Sequence, residues 1–200
     1  MVKVVALRGP PERASTRASA AETSRSQARI FDELLVTLAQ DGDRAALERL
    51  AQRWRPRHHA HARRLLRNAE TAGDAVQDAW LGIVRGMGRL QDPARFPAWS
   101  YAIVTRRCRD LQRRAARTPP LDAEVEAADL RRSDPDRDHD LRRALAALPP
   151  DQRAAVALYY GEGFSGAEIA EALGVPLGTV KTRLFHARRA LRRRFEGDTP

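Results

Sequence analysis

FSGAEIAEALGVPLGTVKTRLFHARRALRRRF, residues 164–195, is the stretch whose reading decides the fold. Ser165 is a good N-cap and Glu168, three residues on, completes a capping-box pattern, so a helix begins here. Ile169, Ala170 and Leu173 turn inward on that helix, and Gly174 is a fitting C-terminal glycine. A last helix is expected from about Gly178 to Phe195, where Val180, Leu184, Ala187 and Leu191 fall at i, i+4, i+7 and i+11 as one buried stripe. Two helices joined by a short turn, the second longer and basic, form a helix-turn-helix. The stripe leaves Thr182, Phe185, His186 and Arg189 on the opposite face, flanked by Lys181 and Arg183. Cations, a hydroxyl and an apolar ring on one helix face suit a major groove, where they meet base acceptors and thymine methyls. Backbone amides at Gly178 and Thr179 suit a phosphate.

Upstream, Leu141, Leu145 and Leu148 mark a short helix that stops at Pro149 and Pro150, and a second helix is expected from Asp151 to about Tyr160. Residues 118–140 differ in character. They hold Pro119, Pro120 and Pro135 and eight acids against three arginines, a local charge of −5 in a chain of formal charge +10. Low hydrophobicity and like charge favour an extended linker, so the domain boundary is placed here, with residues 141–196 as the C-terminal domain.

Residues 30–117 form the other domain. Apolar residues recur there at helical spacing and strand-like alternation is nowhere sustained. The clearest helix spans about Asp74 to Met87, with Ala75, Val76, Ala79, Trp80, Ile83, Val84 and Met87 as its stripe, and Gln77, Asp78, Leu81 and Arg85 facing elsewhere. Gly86, Gly88 and the segment from Asp92 through Pro97 break the period. A basic helix follows from Trp99 to Arg114, carrying Arg106, Arg107, Arg109, Arg113 and Arg114 beside Phe96, Trp99 and Tyr101. Arginines with adjacent rings suit single-stranded or melted DNA, because rings stack on exposed bases while cations track phosphate. Core positions are the competing assignment for Phe96, Trp99 and Ile103. The fold class is therefore all-α: two small helical domains joined by a flexible acidic linker, preceded by a disordered tail over residues 1–29.

Composition narrows the function classes. The charge is almost wholly arginine, since Lys3 and Lys181 are the only lysines among 36 basic residues, and a polyanionic partner follows. Cys108 stands alone, which excludes an intramolecular disulfide framework and fits a reducing, cytoplasmic setting. No apolar stretch is long enough to insert in a membrane. His58, His59 and His61 lack carboxylates or cysteines at ligand spacing, so a solvated basic face is expected there and no metal or other cofactor. There is no Walker loop, nucleophile elbow or HExxH, and nothing points to an enzyme.

Residues 144–195, ALAALPPDQRAAVALYYGEGFSGAEIAEALGVPLGTVKTRLFHARRALRRRF, closely resemble region 4 of sigma-70-family RNA polymerase sigma factors. LPPDQR, EIAEALGVPLGTVKTRL and HARRALR occur there in one order. The segments DGDRAALERLAQRW (41–54), AETAGDAVQDAWLGIVRGM (69–87) and FPAWSYAIVTRRCRDLQRRAAR (96–117) resemble region 2, and nothing resembles regions 1.1 or 3, which points to the extracytoplasmic-function (ECF) subgroup.

The resemblance implies a factor that binds core polymerase and directs promoter-specific initiation. It places the clamp helices of the largest polymerase subunit against Asp74, Gln77, Asp78, Leu81 and Arg85. The −10 element falls to Phe96, Trp99, Arg106, Arg107, Arg109 and Arg113. The −35 element falls to Thr179, Lys181, Thr182, Arg183, Phe185, His186 and Arg189. Region 4 also docks on the polymerase flap, and an anti-sigma factor is a further implied partner. Against the family pattern, Gly73 replaces a common acid, Ser100 a leucine, Arg106 a frequent asparagine and His186 a common arginine. Two other functions compete. A helix-turn-helix regulator independent of polymerase leaves the Trp99 helix and the linker unexplained. A sigma mimic that sequesters an anti-sigma factor normally accompanies a receiver domain, whose parallel sheet has no counterpart here.

Overall fold

The structure is a computed structural model that describes residues 12–66, 68–116 and 137–196. Every regular element among them is helical. In chain order these are α1 (Glu12–Gln40), α2 (Arg44–Leu65), α3 (Ala69–Gly86), α4 (Phe96–Ala115), α5 (Arg137–Ala146), α6 (Pro150–Val156), α7 (Gly166–Leu173) and α8 (Leu177–Glu196). Two single tight turns, Met87–Arg89 and Pro93–Arg95, lead from α3 into α4, and a wider π turn, Ala157–Gly161, prolongs α6.

Local chemistry explains the helix starts. Asp43 caps α2 by accepting from the backbone amides of Ala45 and Ala46, and Asn68 caps α3 by accepting from Thr71 at 2.9 Å. The helix expected from Asp74 thus begins five residues earlier, at Ala69. Its inner stripe is as expected except for Val84, which is 48% exposed. α3 and α4 approach closely at Gly86, where a Cβ would lie 3.0 Å from the Trp99 ring.

Two boundaries differ from the sequence expectation. The tail expected over residues 1–29 is helical from Glu12 onward, as the first part of α1. Low hydrophobicity there bears on burial, whereas alanine and arginine are strong helix formers. α5 starts at Arg137, so the acidic linker ends before residue 140; residues 118–136 lie outside the described residues.

α1 to α4 form one bundle and α5 to α8 another, but their cores are not separate. α7 lies along α4, α6 meets α2, and the buried apolar residues of both bundles run together as one cluster. Tyr101 of α4, with no exposed surface, packs edge-on against Phe164 from the turn before α7, ring centres 5.4 Å apart.

The solvated face expected for the histidines is absent at two of the three. His58 and His61 are fully buried, while His59 is partly exposed. Each buried ring flanks Tyr101, at 5.0 and 4.9 Å. His58 Nε2 lies 3.0 Å from the Ser100 hydroxyl, and His61 Nε2 lies 2.9 Å from the Thr105 hydroxyl. Ser100 donates its own proton to the Pro97 carbonyl at 3.0 Å, so it accepts from His58, whose ring therefore carries its proton on Nε2. Burial, followed by the neighbouring Arg57, lowers the His58 pKa to about 3. Burial, followed by Arg64, His58 and Arg109, lowers His61 to about 3 as well.

Both rings are neutral in the native state and take up protons near pH 6.5 when unfolded. Their stabilisation is complete above that value and is lost as pH falls from 6.5 towards about 3. We expect urea denaturation to show a loss of about 2 kcal/mol per histidine between pH 6.5 and pH 5. The double substitution His58→Leu with Ser100→Leu removes one donor and its acceptor together. It should halve that pH dependence, and an unchanged slope would contradict the assignment.

Candidate nucleic-acid and polymerase interfaces

The helix-turn-helix forms as the sequence indicated. The Ser165 amide donates to the Glu168 carboxylate at 2.7 Å and the Glu168 amide donates to the Ser165 hydroxyl at 3.2 Å, which closes the capping box. Gly174 ends α7 with φ +57°, a left-handed conformation that glycine adopts without strain. Val180, Leu184 and Ala187 of α8 are buried, and Leu191 is partly so.

The remaining surface of α8 then divides. Lys181, Thr182, Phe185, His186 and Arg189 are exposed; Phe185 shows 61% of its surface and sets its ring edge-on to His186 at 5.5 Å. The Thr182 hydroxyl donates back to the Gly178 carbonyl at 3.0 Å, which fixes its rotamer on the outer face. Thr179 is half-buried. Arg183 departs from the expectation: it turns inward to Asp151 of α6 at 2.5 Å and leaves 18% of its side chain exposed. It fastens α8 to α6 and is not presented with the others. Arg188 was not singled out by its position in sequence. Its guanidinium lies over Tyr159 and Tyr160 at 5.3 and 5.7 Å and donates to the Tyr160 hydroxyl at 2.9 Å. The signal was the exposed tyrosine pair at the end of α6.

On α4 the charge and the rings separate. Arg106, Arg107 and Arg113 are exposed, Arg106 and Arg113 on one side of the helix and Arg107 turned away from them, and Arg109 is half-buried beneath the α7–α8 turn. Phe96 has no exposed surface and packs against Trp54 at 5.6 Å, so it belongs to the core and not to a stacking platform. Trp99 is half-buried against Phe96 and Gly86. A ring looks like a stacking surface in sequence until its neighbours from other helices are known.

α3 presents Asp74, Gln77, Asp78, Leu81 and Arg85, all exposed. Leu81, at 52% exposure, and the unexpected Val84 place apolar surface among these polar groups. Such a mixed face suits a protein partner better than a phosphate backbone. Among the described residues no three metal-ligating side chains cluster, and no helix is long and apolar enough to cross a membrane.

Comparison with known proteins matches part of each bundle to a family. The sigma-70 region 2 family matches residues 50–118 and the sigma-70 region 4 family matches residues 138–191. The ECF RNA polymerase sigma factor SigM of Mycobacterium tuberculosis is 40% identical over 154 residues, covering 76% of this chain and 78% of that protein. The chain belongs to the ECF RNA polymerase sigma factors. As a sigma factor it directs the initiation of transcription by RNA polymerase. Among solved structures, CnrH in complex with the cytosolic domain of CnrY is 26% identical. It matches with a TM-score of 0.58, over 84% of this chain and 99% of that one. The sigma factor RpoE, in complex with the anti-sigma factor NepR from Bartonella quintana, shares the fold at 24% identity and a TM-score of 0.64, over 76% of this chain and 98% of that one. α1 of this sigma factor lies before the matched region 2, and α7 with α8 as far as Leu191 lies within the matched region 4.

The contrast between Arg183 and Lys181 is measurable without DNA. Arg183→Ala breaks an ion pair whose guanidinium is largely covered while its carboxylate is exposed, and should lower the unfolding free energy by about 1 kcal/mol. Lys181→Ala removes an exposed side chain and should change it by less than about 0.5 kcal/mol. Equal effects in thermal denaturation would contradict this division of the helix.

Proposed function

We propose that this sigma factor reads the −35 element with the outer face of α8 and engages the −10 element with α4 and the turns before it. One observation carries the reading: folding consumes one side of α8, Val180, Leu184 and Ala187, and leaves Lys181, Thr182, Phe185, His186 and Arg189 outside on the other. The exposed Arg106, Arg107 and Arg113 of α4 supply a track for phosphate, with the half-buried Trp99 as the ring on the same helix that is open to a base. α3 is the docking face for the clamp helices of the largest polymerase subunit, through Asp74, Gln77, Asp78, Leu81 and Arg85, now joined by Val84. Residues 30–117 act as region 2 and the helices from α5 onward as region 4, which also meets the polymerase flap. The protein works in the cytoplasm, by binding and without catalysis or cofactor. An anti-sigma factor controls it, as the complexes of CnrH with CnrY and of RpoE with NepR suggest.

Run-off transcription with core polymerase tests the two reading helices separately. Lys181→Ala, Thr182→Ala or His186→Ala should each reduce −35-dependent initiation, with about 1 to 3 kcal/mol lost per base contact. Each should leave a promoter with altered −35 bases unaffected; identical losses on both templates would refute the −35 assignment. Arg106→Ala with Arg107→Ala should impair strand opening on duplex promoters, and a pre-opened bubble template should restore it. Failure of that rescue, with polymerase binding intact, would refute the −10 assignment.

A further inference from the structure

One side chain of α1 holds the connection between α3 and α4. Gln40, the last residue of α1, donates from Nε2 to the Met87 carbonyl at 2.9 Å and to the Leu90 carbonyl at 2.7 Å. Its amide nitrogen has two protons and a carbonyl can only accept, so the nitrogen faces both oxygens. The two bonds close the tight turn Met87–Arg89 from behind, where the Leu90 amide already donates to the Met87 carbonyl at 3.1 Å. Gln40 is itself held in place. The amides of Gly42 and Asp43 fold back on the carbonyls of Ala39 and Leu38 at 3.2 and 2.9 Å, and the Asp43 side chain then caps α2. α1 also packs along Pro93–Arg95, the second turn of the same connection.

The outward side of the connection has a different character. Gly88, Arg89, Gln91, Asp92 and Ala94 are exposed, while Met87 is buried and Leu90 partly so. Each carbonyl shares a rigid peptide plane with the next amide, so fixing the Met87 and Leu90 oxygens fixes the planes that lead into Gly88 and Gln91. The directions in which Arg89 and Gln91 leave the backbone follow from those planes. A guanidinium and a carboxamide are donors that discriminate among base edges. Discrimination requires them to be held to about 0.5 Å, by groups that need not touch the ligand.

We propose that Gln40 is a positioning residue for −10 readout. From the end of α1, outside the residues assigned to the −10 element, it sets where Arg89 and Gln91 stand and so which base the α3–α4 connection accepts. The proposal rests on the assignment of α4 and the turns before it to the −10 element. Base choice at −10 then depends on a hydrogen-bond donor 47 residues before the Met87 carbonyl it holds.

Run-off transcription with core polymerase, on a promoter pool randomised over the −10 element at fixed −35 element and spacing, tests the role. Gln40→Met fills similar space without a donor and should flatten the −10 base preference about tenfold. A second pool, randomised over the −35 element, should keep its preference. Gln40→Glu sets carboxylate lone pairs against the two carbonyls and should flatten the −10 preference further. Gln40→Lys returns donors to the site and should recover the preference of the unsubstituted factor. Gln40→Asn, which keeps the amide but withdraws it by one methylene, should show a smaller loss and carries the comparison if Gln40→Met does not fold. Hydrogen exchange at the amides of residues 88–91 should quicken in Gln40→Met and slow again in Gln40→Lys. Lower thermal stability and lower output in Gln40→Met, with the −10 base preference unchanged, would overturn the proposal. Arg89→Ala with Gln91→Ala separates the two levels. An unchanged −10 preference in that double variant refutes the assignment of the turns and the positioning role with it. A flattened preference there, with none in Gln40→Met, refutes the positioning role alone.

Discussion

The ring of Tyr101 is the fixed point of this molecule. It is wholly enclosed, with Trp54 at 6.1 Å, His58 at 5.0 Å and His61 at 4.9 Å on the region 2 side and Phe164 at 5.4 Å from region 4. α2 and α4 are held at this ring, and so is the approach of α7. An unpaired polar group in such a place costs on the order of 1–3 kcal/mol, and around this ring the imidazoles are satisfied at Nε2 while His58 Nδ1, His61 Nδ1 and Trp54 Nε1 stay buried without a hydrogen-bond partner. Ser100 and Thr105, one position before and four after it, provide hydroxyls to the two imidazoles. Ser100 stands where the family pattern has leucine, and His58 is the buried partner that makes the polar residue tolerable.

Charge is distributed in the same economical way. The chain is strongly basic, yet its arginines do different things. Arg183 joins α8 to α6 through Asp151, and Arg53 joins α2 to the buried carboxylate of Asp32 at 2.7 Å. Arg29, Arg57 and Arg95 reach across to region 4. Arg106, Arg107, Arg189 and Lys181 remain at the surface. Net charge predicts a polyanionic partner, but the cations available to it are those that folding does not use.

The same separation governs the helices. In α8 burial and exposure alternate with the helical period, so substitutions on the outer face test recognition without disturbing the domain. In α3 the separation is less clean: Leu81 and Val84 remain outside although they are apolar, a surface of the kind that suits a protein partner. In α4 it fails for the aromatic residues, since Phe96 is core and Trp99 half-core.

The sequence by itself determined whatever depends on neighbours a few residues away. The Ser165–Glu168 capping box, the left-handed Gly174, the Val180–Leu184–Ala187 stripe and the all-α class are of this kind, because helix geometry brings positions three and four apart together in any context. The exposed α8 residues of the candidate site followed from that periodicity, as did the polar face of α3. Tertiary structure alone decided the rest. His58 and His61 are buried because α4 and the turn before α7 close over them, Arg183 is withdrawn because Asp151 lies within reach across the bundle, and Phe96 is core because Trp54 meets it. The joining of two expected modules into one cluster has the same origin. Glu171 and Arg95 are 76 residues apart in the chain, and no local pattern records a pairing that exists only because two helices pack side by side.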